Sequence, residues 1–173
     1  MKKIFFFLWL AMLLQACQNS PVRQNATNLH NDTTYAFPIK QSNQWTINPN
    51  HHNVKMVMTA LKAYETGDTA LLNKCVADSL TVYYDGGHYK GGKREFMFAI
   101  KEVVKALNNL RVRVKDCESV ISKDKKQERV TAWYTQYWTT RQGLPDSADV
   151  TDEAHFKDGK IMVWYNYVRR YKK

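Results

Sequence analysis

The chain has 173 residues, with 26 Lys and Arg against 16 Asp and Glu, and a formal net charge of +10. That length leaves room for one ordinary core beside a leader and a tether. Its three cysteines and five histidines fall in no spacing that resembles a zinc site, so no metal and no cofactor is expected.

The first residues read as an export leader. Lys2 and Lys3 are followed by an apolar run, Ile4 to Leu14, rich in Phe and Leu. The run is short of the roughly 20 residues that span a bilayer, and suits the apolar core of a signal peptide. Leu14-Gln15-Ala16-Cys17 resembles the lipobox of bacterial lipoproteins. The resemblance implies cleavage after Ala16 and lipid on Cys17, with more than one acyl chain for stable anchoring. Gln18 after the cysteine, rather than an acidic residue, points by the same resemblance to the outer membrane of a Gram-negative envelope. Residues 1–16 are thus read as leader and 17–48 as lipidated tether. The tether is rich in Asn, Gln, Ser and Thr, and such a stretch buries too little to offset its ordering entropy. Trp45 and Ile47 interrupt it, so its end is expected to pack on the domain as an extended arm. Loss of Lys2 and Lys3 lowers the charge from +10 to +8. A basic surface suits anionic headgroups or envelope polymers. Nucleic acid is not expected as a partner of an exported chain without a binding motif.

The domain is read as residues 49–173. Asn48-Pro49-Asn50 signals a helix start, and Val54, Val57, Met58, Leu61 and Tyr64 recur at helical spacing. Gly67 suits the left-handed position past that helix and Asp68 the cap of the next, whose apolar face is Leu71, Leu72, Cys75 and Val76. Leu80 to Tyr84 reads as a strand ending at Asp85-Gly86-Gly87, with His88 to Lys90 as a short return. A third helix runs from Lys93 to Leu107 with Phe96, Ile100, Val103 and Leu107 on one face. The period then changes to two over Leu110, Val112 and Val114, continuing to Ile121. Strands from Arg129 to Thr140, Ala148 to Lys157 and Ile161 to Tyr171 follow, the last two joined by the hairpin signal Asp158-Gly159. Cys75 and Cys117 fall on a helix end and a strand, and read as buried free thiols, although an oxidising compartment permits a disulfide.

Tyr64-Glu65-Thr66-Gly67-Asp68, Tyr84-Asp85-Gly86, Lys90-Gly91-Gly92-Lys93 and His155-Phe156-Lys157-Asp158-Gly159-Lys160-Ile161 together resemble the nuclear transport factor 2-like superfamily, especially its SnoaL-like members. The resemblance covers about residues 50 to 171. It implies an α+β, cone-like fold with three N-terminal helices packed on a strongly curved antiparallel sheet. It also implies a pocket between helices and sheet, and a homodimer through the sheet's outer face. The superfamily holds both enzymes and non-catalytic binding domains, so fold does not fix function.

Alternation sorts the strand residues into sets without choosing which set faces inward. Thr131, Trp133, Thr135 and Tyr137 oppose Val130, Ala132, Tyr134, Gln136 and Trp138. Thr151, Glu153 and His155 oppose Val150, Asp152, Ala154 and Phe156. Trp164 and Asn166 oppose Val163, Tyr165 and Tyr167. The candidate catalytic pair is Asp85 with His155, a carboxylate able to orient an imidazole or act as a base. Tyr83, Trp133, Tyr137, Glu153, Trp164 and Asn166 are the candidate ligand contacts. An amide at Asn166, where SnoaL-like enzymes commonly carry an acid, argues against catalysis. The expected function is a membrane-anchored envelope lipoprotein that binds a small, partly apolar ligand. The alternatives are an isomerase- or hydrolase-type enzyme using His155 and Asp85, and a non-catalytic dimeric interaction module.

Overall fold

Asparagines build the start of the first helix. The Asn48 side chain accepts from Asn50 N at 3.0 Å, and the Asn50 side chain accepts from His52 N at 3.0 Å, two successive local turns that aim the chain into helix. The computed structural model describes Phe37 and residues 44–170; the leader, Cys17 and most of the tether lie outside the described residues. Strand β1 is Thr46–Ile47, helix α1 His52–Thr66, helix α2 Thr69–Cys75, strands β2 Val76–Tyr84 and β3 Gly87–Gly92, helix α3 Lys93–Ala106, and strands β4 Asn108–Ile121, β5 Glu128–Thr139, β6 Pro145–Lys157 and β7 Lys160–Arg170. The short β1 is the expected arm, paired to β4 through Thr46 opposite Ile121 and Ile47 opposite Val120.

Local chemistry sets the junctions. Gly67 takes φ 70° and closes α1, and Asp68 caps α2 by accepting from Leu71 N at 2.8 Å. Gly67 has a second use: a Cβ there would sit 3.3 Å from Val104 Cγ1 of α3. Val104 is half-buried at this approach, while Val103, expected on the buried face, is 45 % exposed. Asp158 and Gly159 both take positive φ, 52° and 69°, as the tight β6–β7 hairpin requires.

The sheet has seven strands in the order β1-β4-β5-β6-β7-β2-β3. It is mixed rather than wholly antiparallel, because β2 lies parallel to β7, with Val82 opposite Trp164. The helices are not all N-terminal to the sheet either: α1 and α2 precede the β2–β3 hairpin and α3 follows it. All three pack on one face. Val57, Ala60 and Leu61 of α1, Leu72 and Cys75 of α2 and Phe96 of α3 meet Leu80, Val130, Tyr134, Val150, Ile161 and Trp164 of the sheet. A bulge decides which residues of β7 join that core. Phe156 pairs Ile161 and His155 pairs Val163, so Met162 is the extra residue. The slip puts Trp164 and Asn166 on the helix-covered face with Ile161, and Val163, Tyr165 and Tyr167 on the open one. Cys75 and Cys117 are both free thiols, and burial raises each above the usual range, Cys117 to about 11.

Candidate functional site

Register shows which side chains share a rung. Ala132, Asp152 and Asn166 stand side by side across β5, β6 and β7 on the covered face. The next rung on this face carries Tyr134, Val150 and Val168. Asp152 is 2 % exposed. Its Oδ2 accepts from the Tyr134 hydroxyl at 3.0 Å and its Oδ1 from Asn166 Nδ2 at 2.7 Å. The Trp164 side chain donates to it as well. No Lys, Arg or His forms an ion pair with it among the described residues.

A carboxylate taken out of water without a counter-charge costs several kcal/mol, and neutral donors return part of that. Burial outweighs the donors: it lifts Asp152 to about 6, against the pull of Asn166, Trp164 and Tyr134. The phenols respond in turn. Burial and the Asp152 charge raise Tyr64 of α1 to about 12 and Tyr134 well above 10. Both tyrosines therefore stay protonated donors, while Asp152 exchanges its proton near neutral pH. A carboxyl with two accessible protonation states beside fixed donors can accept a hydrogen bond, give one, or pass a proton.

The residues nominated from sequence divide between two faces. Trp164 and Asn166 belong to the Asp152 group. Asp85 occupies the β2–β3 turn and is exposed. His155, Glu153, Tyr83, Trp133 and Tyr137 lie on the open face, by register with one another and away from the helices. There Glu153 accepts from His155 Nε2 at 2.5 Å and from Arg129 at 3.2 Å. His155 lies 5.3 Å from the Tyr165 ring, which stacks on Tyr83 at 4.8 Å. No hydrogen bond or ion pair joins Asp85 to His155 among the described residues. Sequence reasoning passed over Asp152, Tyr134 and Tyr64. A signal was present: Ala148, Val150 and Ala154 flank Asp152 at alternate positions, whereas the opposing set is polar throughout, which marks the Asp152 side as the buried one.

An open pocket of about 420 Å³ lies elsewhere, where the ends of α1 and α3 meet the start of β4; Lys62, Glu65, Leu107, Leu110 and Arg111 line it. Asp152 does not line this pocket.

No protein-family model and no curated protein matches the chain. Solved structures do. An LEH-like epoxide hydrolase from M. tuberculosis is 16 % identical with a TM-score of 0.56, over 70 % of this chain and 86 % of that one. Bal32a, from a soil-derived mobile gene cassette, is 19 % identical with a TM-score of 0.57, over 70 % and 92 %. A nuclear transport factor 2-like protein of unknown function from Burkholderia pseudomallei is 15 % identical with a TM-score of 0.55, over 68 % and 91 %. The fold is nuclear transport factor 2-like. At these identities the likeness concerns the fold, and the chemistry of this domain rests on its own residues.

Proposed function

We propose that the chain is an envelope lipoprotein, held by lipid on Cys17 at the outer membrane, whose domain binds a small, partly apolar ligand in a cone between helices and sheet. The observation that carries the binding reading is Asp152, caged by Tyr134, Asn166 and Trp164 with no cation paired to it among the described residues. Stability alone gives no reason to keep such a group, since an apolar residue of similar size would cost less to bury. The same cage suits a ligand with one hydroxyl or carbonyl on an apolar body, the polar atom taking up Asp152 and a phenol. Tyr64, partly exposed on α1, is the side from which the ligand reaches the group.

The test uses the full chain purified from its own envelope. Native mass spectrometry is expected to find a bound small molecule that Asp152→Asn loses, and a mature mass carrying acyl chains on Cys17. Protein free of any ligand, with small-molecule binding indifferent to Asp152→Asn, overturns the binding reading; an unmodified Cys17 overturns the anchor.

A second reading is favoured by the position of Asp152 near 6: an enzyme of isomerase or hydrolase type in which this carboxyl carries the proton, in place of His155 and Asp85. A solved neighbour of the same fold named an epoxide hydrolase supports small-molecule chemistry as a use of such a fold. Turnover that Asp152→Asn abolishes while ligand still binds separates the enzyme from the binding protein.

A further inference from the structure

The open cavity of about 420 Å³ at the ends of α1 and α3 is used by neither reading. One wall is apolar, with Val104 and Leu107 from the end of α3 and Leu110 from β4. The other is charged, with Lys62 and Glu65 of α1 and Arg111 of β4. Glu65 is fully engaged. Its side chain is 10 % exposed, its Oε1 accepts from Val112 N at 3.1 Å, and its Oε2 accepts from Lys62 Nζ at 2.5 Å. Burial opposes its charge, yet Lys62, the Val112 N–H and the nearby Arg111 together hold the carboxyl below its usual range. Glu65 therefore stays ionised and offsets Lys62.

Arg111 is left over. It pairs Tyr137 of β5, but β1 covers β4 only at Val120 and Ile121, so Arg111 stands at an open edge of the sheet. From that edge it lines the cavity, and its charge acts on Glu65. It makes no hydrogen bond or ion pair among the described residues. Other acceptors nearby are taken. Thr66 Oγ1, Asp68 N and Gly67 N donate to the carbonyls of Lys62, Ala63 and Tyr64, and Leu107 N donates to Val104 O. These bonds satisfy groups that carry the negative end of each helix. Glu102, on the last turns of α3, is paired with Lys105 at 2.7 Å.

We propose that this cavity binds a small organic carboxylate with an apolar body, held by Arg111. The planar guanidinium fork matches a carboxylate through two parallel hydrogen bonds. The apolar body is received by the wall of Val104, Leu107 and Leu110. One cation without a partner answers one negative charge, so a monoanion fits, whereas the second charge of a phosphate ester has no partner here. Asp152 does not line the cavity, and the proposal stands whether or not the domain holds a ligand at that carboxyl.

The test is an NMR titration of the full chain in detergent micelles with three water-soluble probes: benzoate, benzyl alcohol and phenyl phosphate. Benzoate is expected to shift the backbone amides of Leu110 and Val112. Benzyl alcohol, of the same shape without the charge, is expected to bind at least about tenfold more weakly, the scale of a lost charge-assisted hydrogen bond. Arg111 is exposed, so replacing it removes no core contact. Arg111→Gln is expected to weaken benzoate at least about tenfold, and Arg111→Lys, which keeps the charge without the fork, to fall between Gln and wild type. Lys123→Gln, an equal loss of charge in the turn at the far end of β4, is expected to leave benzoate binding unchanged. Equal binding of benzyl alcohol and benzoate overturns the proposal, as does Arg111→Gln binding benzoate like wild type. So does phenyl phosphate binding more tightly than benzoate, which would assign the cavity to a phosphate ester. Absence of any benzoate shift at Leu110 and Val112 overturns it outright.

Discussion

Asp152 and Glu153 are adjacent in sequence and differ in everything that burial controls. Asp152 turns under the helices, meets neutral donors, and is pushed up to about 6. Glu153 turns to the open face, where Arg129 and His155 meet it with its side chain 29 % exposed. The same contrast runs along the sheet. Tyr134 and Trp164 are locked into the core, whereas Tyr137 and Tyr167 stand in solvent. Water is the reason: on the open face it screens charges and satisfies polar atoms, and under the helices each polar atom needs a protein partner.

The largest break in this comparison comes from truncating an aromatic on each side. Trp164→Ala is expected to cost about 3–5 kcal/mol in urea unfolding, while Tyr167→Ala, one of the exposed rings, stays within about 0.5 kcal/mol. Near-equal losses would mean that the two faces are not energetically distinct.

The pH dependence follows from Asp152. Its proton is held more tightly in the folded chain, so between about 3.8 and about 6 the folded state binds more protons than the unfolded one. Stability therefore falls as pH rises through that window, by about 3 kcal/mol from this group, and levels off above it. Asp152→Asn is expected to flatten the slope in melts taken across the window; Glu153→Gln is expected to leave it in place.

Tyr134→Phe sharpens the account of the cage. Removing one donor to the buried carboxylate is expected to cost about 1–3 kcal/mol at neutral pH, less in acid where Asp152 is neutral, and to raise Asp152 further in an NMR titration. The smallest effect is expected from Glu153→Gln, about 0–1 kcal/mol and shrinking with added salt, because its partners are partly solvated.

The sequence by itself determined what depends on a few neighbouring residues. Gly67 and Asp68 mark the α1–α2 junction, Asp158-Gly159 marks the last hairpin, and the change of period after Asn109 marks the passage from helix to sheet. Each is set by backbone sterics or a side chain bonding its own neighbourhood, so it reads directly from the chain. The placing of Glu153 beside His155 was legible for the same reason, since alternation keeps them on one side. The covering of one face was decided by tertiary structure. Both sets of β5 residues carry aromatics, so β5 is blind to which side the helices take, and only the polar alternate set of β6 hints at it. The bulge at Met162 and the close approach of Val104 to Gly67 arise from pairing and packing between distant segments. The bulge turns Trp164 and Asn166 inward beside Asp152. Only the placement of three helices over one face of the sheet converts Asp152 from a polar strand residue into a buried, exchangeable acid.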